Sequence, residues 1–271
     1  MTIRSRARAI AKWLLGRRPS VPTPYVAANT YRETGNQWYA ATVGGASTLA
    51  EYAGGGAVVR EALACLARLS PDQYHDYVTR FYRAGLDRFG DRWRYADINT
   101  ALIGLAGVLQ PASYLEIGVR RGRSLAMLAS QAPTCHIVAC DLFVQDYAGM
   151  ENPGPDFVRA ELARVGFAGE LEFLVGDSHR LLPKYFRTHP DAFFDLITVD
   201  GDHSETGAVA DLQTVMPRVK IGGAVIFDDV SNPAHPELKR VWAEATASRP
   251  DFSTYTFDEI GFGVGVAIRH G

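Results

Sequence analysis

Cysteine is scarce in this 271-residue sequence, which has only Cys65, Cys135 and Cys140. An odd number without a C-x-x-C pair excludes a disulfide scaffold and an obvious structural zinc site. No apolar run approaches the ~20 residues of a membrane-spanning helix, so stable membrane insertion is not expected. A dominant charge sign is also missing. The 28 Lys and Arg stand against 30 Asp and Glu, leaving a net charge of −2. That balance gives no general reason to bind nucleic acid, whose recognition rests on neutralising phosphates. With 47% apolar and 21% charged residues, wholesale disorder is excluded. The length suits one large domain or two small ones, as in a cytoplasmic globular enzyme.

Acidic residues are absent before Glu33. Arg4, Arg6, Arg8, Lys12, Arg17 and Arg18 alternate with Ile3, Ile10, Trp13, Leu14 and Leu15 in a basic amphipathic stretch. Such a stretch can lie on an anionic membrane surface, or dock as a terminal helix on its own protein or a partner subunit. It lacks the apolar core and cleavage site of a secretory signal. Residues 19–56 read as irregular, broken by Pro19, Pro22, Pro24, Gly44-Gly45 and Gly54-Gly55-Gly56. In Ser70-Pro71-Asp72-Gln73, Ser70 reads as an N-cap with Pro at the first helical position. Tyr74, Tyr77, Val78, Phe81, Leu86 and Phe89 then share a helical stripe. A further helix spans about 97–109. Residues 1–94 thus read as a small helical module, for a lid or for oligomerisation.

From Ser113 onward, short β-rich runs alternate with helix-length segments. The strand candidates are Tyr114–Val119, His136–Asp141, Leu171–Gly176, Phe194–Asp200, Ala224–Asp228 and Phe262–Ile268. Alternation implies parallel strands with right-handed crossovers. The expectation is a doubly wound, Rossmann-like α/β domain over 95–271. Its ligands bind beyond the carboxyl ends of the strands, near the switch point.

The dinucleotide fingerprint G-x-G-x-x-G is missing, because the turn after the first strand reads Glu116-Ile117-Gly118-Val119-Arg120-Arg121-Gly122-Arg123-Ser124. Glu116 repels phosphate and better suits a cationic amine. Ser124 and the following helix N-terminus can receive a carboxylate. Asp141 ends the second strand, 19 residues after Gly122, near the spacing at which a carboxylate meets ribose hydroxyls. Asp177 and Ser178 end the third strand and suit the amine and ring nitrogen of a base. Each alone also reads as a helix cap. Together they describe S-adenosylmethionine.

This order of motifs resembles the class I S-adenosylmethionine-dependent methyltransferases over about 95–271. The resemblance implies Glu116, Gly118, Gly122 and Ser124 around the methionine moiety, Asp141 at the ribose, and Asp177 and Ser178 at the adenine. It also implies a seven-stranded sheet closed by an antiparallel hairpin, which Phe252–Phe257 and Phe262–Ile268 fit.

Two further strand ends carry acids, in Asp200-Gly201-Asp202-His203 and in Asp228-Asp229. Neighbouring strands bring Asp200, Asp228 and Asp229 together, and close carboxylates repel unless a cation or protons intervene. An all-oxygen set suits Mg²⁺; otherwise Asp202 and Asp229 cap helices or turns. The arrangement resembles the macrocin O-methyltransferase family, which methylates deoxysugars on natural products. That resemblance implies a divalent metal on Asp200, Asp228 and Asp229, adjacent sugar hydroxyls as acceptor, Asp202 as base and a homo-oligomer. His203 is the alternative base, its ordinary pKa lying nearer neutrality. The aromatic loop 143–156, with Phe143, Tyr147 and Met150, reads as a lid or an ordinary surface excursion. Tyr95 and Asp97 can reach the acceptor, Asp97 equally capping a helix. His179 can contact the adenine or merely start a helix. Rival readings are an O-methyltransferase for catechols, a nicotinamide-dependent oxidoreductase, and a non-catalytic nucleotide-binding partner.

Overall fold

A computed structural model describes residues 25–28, 30, 43–145 and 151–271. The expectations for the basic stretch 1–18, and for Tyr147 and Met150, lie outside the described residues.

The chain first builds α1 (Ala46–Gly54), α2 (Gly56–Leu66), α3 (Gln73–Phe89) and α4 (Ile98–Leu109). It then runs β1 (Ser113–Ile117), α5 (Arg123–Gln131), β2 (His136–Asp141), α6 (Pro155–Arg164), β3 (Leu171–Val175) and α7 (Ser178–Thr188). The remainder is β4 (Phe194–Val199), α8 (Glu205–Val215), β5 (Val219–Asp228), α9 (Glu237–Ala247), β6 (Phe252–Phe257) and β7 (Val264–Arg269). The seven strands are ordered β3-β2-β1-β4-β5-β7-β6. β1 to β5 are parallel, and β7 is antiparallel to both β5 and β6. The switch point therefore lies between β1 and β4, as doubly wound topology requires.

Strand periodicity sends alternate side chains to opposite faces. Tyr114, Ile137, Ala139, Leu196, Ala224 and Ile226 pack with α1 to α5, while Leu115, Val138, Ile197, Val225 and Phe227 pack with α7, α8 and α9. Both faces are covered, which is why the central strands read as continuous apolar runs. The core on the first face runs unbroken from α1 to α4 into the sheet.

Two local readings are corrected. Residues 46–54 are helical rather than irregular, because the glycines that look like loop punctuation serve a helix junction. A Cβ on Gly54 would stand 2.7 Å from the Tyr95 carbonyl oxygen, so Gly54 lets α1 press against that segment. The N-cap of α3 is Asp72, not Ser70: Asp72 Oδ1 accepts from His75 N at 2.6 Å. Ser70 is drawn away by Glu161, whose carboxylate accepts from both its amide and hydroxyl at 2.7 Å. Asp97 caps α4 in a reciprocal pair with Thr100 and accepts from the Tyr82 hydroxyl at 2.5 Å.

Candidate active site

The turn from β1 into α5 shapes the first half of the site. Gly118 has φ +87°, and a Cβ there would lie 1.8 Å from the Asp200 carbonyl oxygen. Only glycine permits both the left-handed backbone and that approach. Gly122 caps α5 at φ +72°, and a Cβ would collide with Val158 at 2.7 Å.

Glu116 is wholly buried on the same sheet face as Tyr114 and opposite Thr198 on β4. Ser124 Oγ donates to Glu116 Oε1 at 2.6 Å, and the Tyr114 hydroxyl contacts Glu116 Oε2. That hydroxyl also lies 2.7 Å from Thr198 Oγ1, yet it has one proton to give. With that proton given to Glu116, the Thr198 hydroxyl supplies the second bond by donating to the Tyr114 oxygen. Burial, aided by the charges of Asp200 and Asp141, raises the Glu116 carboxyl to about 8 against the bonds from Ser124 and Tyr114. Ser124, expected to receive a ligand carboxylate, thus spends its hydroxyl on Glu116.

Asp141, expected at the ribose, accepts four hydrogen bonds from the protein. They come from Val119 N at 2.6 Å, Arg120 N at 2.8 Å, Phe143 N at 2.5 Å and Asn152 Nδ2 at 3.3 Å. It pins the glycine turn to the loop after β2. Asp177 caps α7, accepting from His179 N at 2.9 Å. Ser178 Oγ donates to Asp211 Oδ1 at 2.8 Å; burial raises the Asp211 carboxyl to about 6. His179 Nε2 lies 3.2 Å from the Gly207 carbonyl oxygen. Beside these caps Leu142, Val144 and Val175 expose more than half their surface at the ends of β2 and β3. An exposed aliphatic group of this kind suits the flat face of a base. Sequence reading missed Leu142 and Val175, because exposure depends on what the tertiary fold leaves uncovered.

The acids form the second half. The register pairs Val199 with Phe227, so Asp200 and Asp228 emerge side by side. Burial raises the Asp228 carboxyl well above the carboxylate range, reinforced by the charges of Asp200 and Asp229. Asp200 is also raised by burial, opposed by its bond to His203. Asp229 has a left-handed backbone, φ +61°, and its Oδ2 accepts from Asn232 Nδ2 at 2.8 Å. His203 stands between carboxylates: Nε2 is 3.2 Å from Asp200 Oδ1, and Nδ1 is 3.6 Å from Asp229 Oδ2. Its bond to Asp200 raises its affinity for a proton, against its own burial. Asp202 is exposed and turned toward α8, accepting from Ser204 N at 2.8 Å. It acts as a turn cap there, and His203, not Asp202, faces the acids.

Among the described residues no group of three His, Cys, Asp or Glu converges as a ready metal cage. The donor chemistry nonetheless fits a hard divalent cation. Asp200 and Asp228 stand side by side at adjacent strand ends with Asp229 next in the chain, all oxygen donors, and Asp228 is an acid whose ionisation the fold opposes.

An aromatic wall adjoins the acids. Tyr95 has a hydroxyl whose ionisation is opposed by burial and then by Asp97, with Asp228 adding; Tyr74 of α3 exposes 41% of its surface, and Asp97 and Asp228 oppose its ionisation too. Tyr95 packs edge-on to Phe81 at 4.7 Å and stacks on Trp93 at 5.5 Å. Tyr74 was visible in the sequence only as one member of a helical stripe.

Residues 115–230 match a family model described as a methyltransferase domain. No curated protein matches the chain. Solved structures with a similar fold include the O-methyltransferase TomG from Streptomyces achromogenes, in complex with SAM. It is 23% identical, with 75% of this chain and 92% of that one covered and a TM-score of 0.53. The O-methyltransferase from Bacillus cereus, in complex with SAH, is 18% identical, with 74% and 92% covered and a TM-score of 0.52. The O-methyltransferase NovP is 19% identical, with 79% and 97% covered and a TM-score of 0.53. The strand order and the closing hairpin agree with these structures: the chain has a Rossmann-like methyltransferase fold, within which residues 115–230 match the methyltransferase-domain model.

Proposed function

We propose that the protein transfers a methyl group from S-adenosylmethionine to a hydroxyl of a small-molecule acceptor. The observation that carries this reading is the contact of the glycine turn with the acid cluster. Gly118 lies against the backbone of Asp200, so a cofactor held at the turn has its reactive end beside Asp200, Asp228 and Asp229. The structures of TomG with SAM and the Bacillus cereus enzyme with SAH, on the same fold, support the cofactor. Glu116, Gly118, Gly122 and Ser124 are assigned to its methionine end, Asp141 to the ribose, and Asp177 and Ser178 to the adenine.

The acceptor we favour is a sugar, such as the deoxysugar of a natural product or glycan. Several carboxylates together suit adjacent hydroxyls, and the faces of Tyr74 and Tyr95 suit the apolar face of a ring. A catechol is the second reading, favoured by the same aromatic wall. Asp200, Asp228 and Asp229 would hold Mg²⁺ or another divalent cation, which when bound lowers the pKa of a coordinated hydroxyl. His203 takes the acceptor proton, since its ring faces the acids and Asp202 does not. Positioning of the hydroxyl by the acids and the aromatic wall reduces the entropic cost of alignment. A cytoplasmic homo-oligomer belongs to the same proposal, resting on the family resemblance alone.

The test is methyl transfer from labelled S-adenosylmethionine to sugar and catechol acceptors, with Mg²⁺ or with chelator. Sugar methylation that chelator and Asp200→Ala both abolish is the expected result. Undiminished turnover in chelator removes the metal. Absence of S-adenosylhomocysteine binding removes methyl transfer.

A further inference from the structure

Three arginines of the β1–α5 turn crowd one carboxylate. Arg121 Nε lies 3.1 Å from Asp72 Oδ2, and Arg123 Nη2 lies 3.0 Å from Asp72 Oδ1. Arg121 also pairs with Glu151 and covers the Phe157 ring at 4.5 Å, while Arg123 covers the Tyr74 ring at 5.0 Å. Both are thereby satisfied. Arg120 is the third claimant on Asp72, with Nη2 3.9 Å from Oδ2. Its Nε is buried and finds no hydrogen-bond partner among the described residues.

The charge count is unbalanced. Side-chain exposures are 26%, 8% and 13% for Arg120, Arg121 and Arg123, against 18% for Asp72 and 69% for Glu151. Within salt-bridge distance, three largely sheltered guanidiniums thus share one sheltered carboxylate and one solvated one. Buried charges are normally paired, and an unpaired donor costs its desolvation. Arg120 also holds a left-handed backbone, φ +50°, which a non-glycine residue adopts at a cost. It belongs to the glycine turn itself, its amide donating to Asp141 Oδ2 at 2.8 Å, and its charge favours the ionisation of Asp200.

We propose that Arg120 is the receptor for an oxyanion, a carboxylate or phosphate, bound at the junction of the cofactor turn and the acceptor cleft. The anion completes the pairing that Asp72 leaves short, and the planar guanidinium suits two-point contact with it. The cofactor's amino-acid carboxylate and an anionic group on the acceptor are the two sources of this chemistry. The cofactor source rests on the methyltransferase reading; the site itself does not.

The experiment compares wild-type protein with Arg120→Met and Arg120→Lys, each checked by circular dichroism. Titrants are S-adenosylhomocysteine, 5′-methylthioadenosine, which lacks the amino-acid carboxylate, and inorganic phosphate at constant ionic strength. In Arg120→Met, S-adenosylhomocysteine weakens by about 10- to 100-fold while methylthioadenosine is unchanged, and Arg120→Lys restores part of the loss. That result supports the site with the cofactor as source. Unchanged nucleoside binding, with loss of the thermal stabilisation that phosphate gives the wild type, supports it with the acceptor as source. Arg120→Met that matches wild type with all three titrants overturns the proposal. A wild type that binds neither nucleoside overturns the methyltransferase reading instead, and the phosphate titration alone then decides Arg120.

Discussion

Glu116 offers a direct measurement of how the fold treats a buried charge. Its carboxyl is raised from 4.5 to about 8, mainly by burial. By linkage, that shift corresponds to a folding penalty on the order of 5 kcal/mol once the group is ionised. The folded protein keeps a proton that the unfolded chain loses above about 4.5. Stability therefore falls as pH rises from about 4.5 to about 8, then levels off. An ammonium brought beside Glu116 reverses the balance and favours the carboxylate. At pH 7 a group with a pKa of about 8 is about nine-tenths protonated, so S-adenosylhomocysteine binding releases about 0.9 proton; at pH 9 it releases about 0.1. Titration calorimetry in two buffers of different ionisation enthalpy reads this number directly. Glu116→Gln should remove the release at pH 7 and flatten the stability profile between about 5 and 8. Equal heats in both buffers at pH 7, or an unchanged release in Glu116→Gln, would refute the argument.

Two other outcomes follow from the same physics. Asp228→Asn should raise the melting temperature of the ligand-free protein by a few degrees while lowering methyl transfer, because the fold opposes this acid's charge and the proposed chemistry requires it; a lower melting temperature measured by calorimetry contradicts this. Gly118→Ala should destabilise by more than about 3 kcal/mol in denaturant unfolding, since the methyl group meets the Asp200 carbonyl at 1.8 Å. A cost below about 1 kcal/mol would mean that the turn relaxes freely.

The strands were legible because both faces are covered, which imposes apolar runs such as Ala224-Val225-Ile226-Phe227. The helical start at 70–73 was legible too, but the cap was misassigned. Choosing between Ser70 and Asp72 needs the position of Glu161, 91 residues away from Ser70. The helix at 46–54 was missed for a similar reason, since its bounding glycines answer to the distant backbone of Tyr95.

The candidate site divides along the same line. Which residues end the strands follows from local pattern, so Glu116, Asp141, Asp177, Asp200 and Asp228 could be named from spacing alone. What each carboxylate faces could not. Asp202 and His203 are neighbours in the chain, yet one turns to the α8 N-terminus and the other between two acids.

Order along the chain, with its periods of two and three to four residues, determined the architecture and the identity of the strand-end acids. Burial and partnership depend on segments brought together from far apart. Only the folded molecule therefore decided that Glu116 is buried against Ser124 and Tyr114, that Asp141 accepts from three backbone amides, and that Arg120 Nε finds no partner among the described residues.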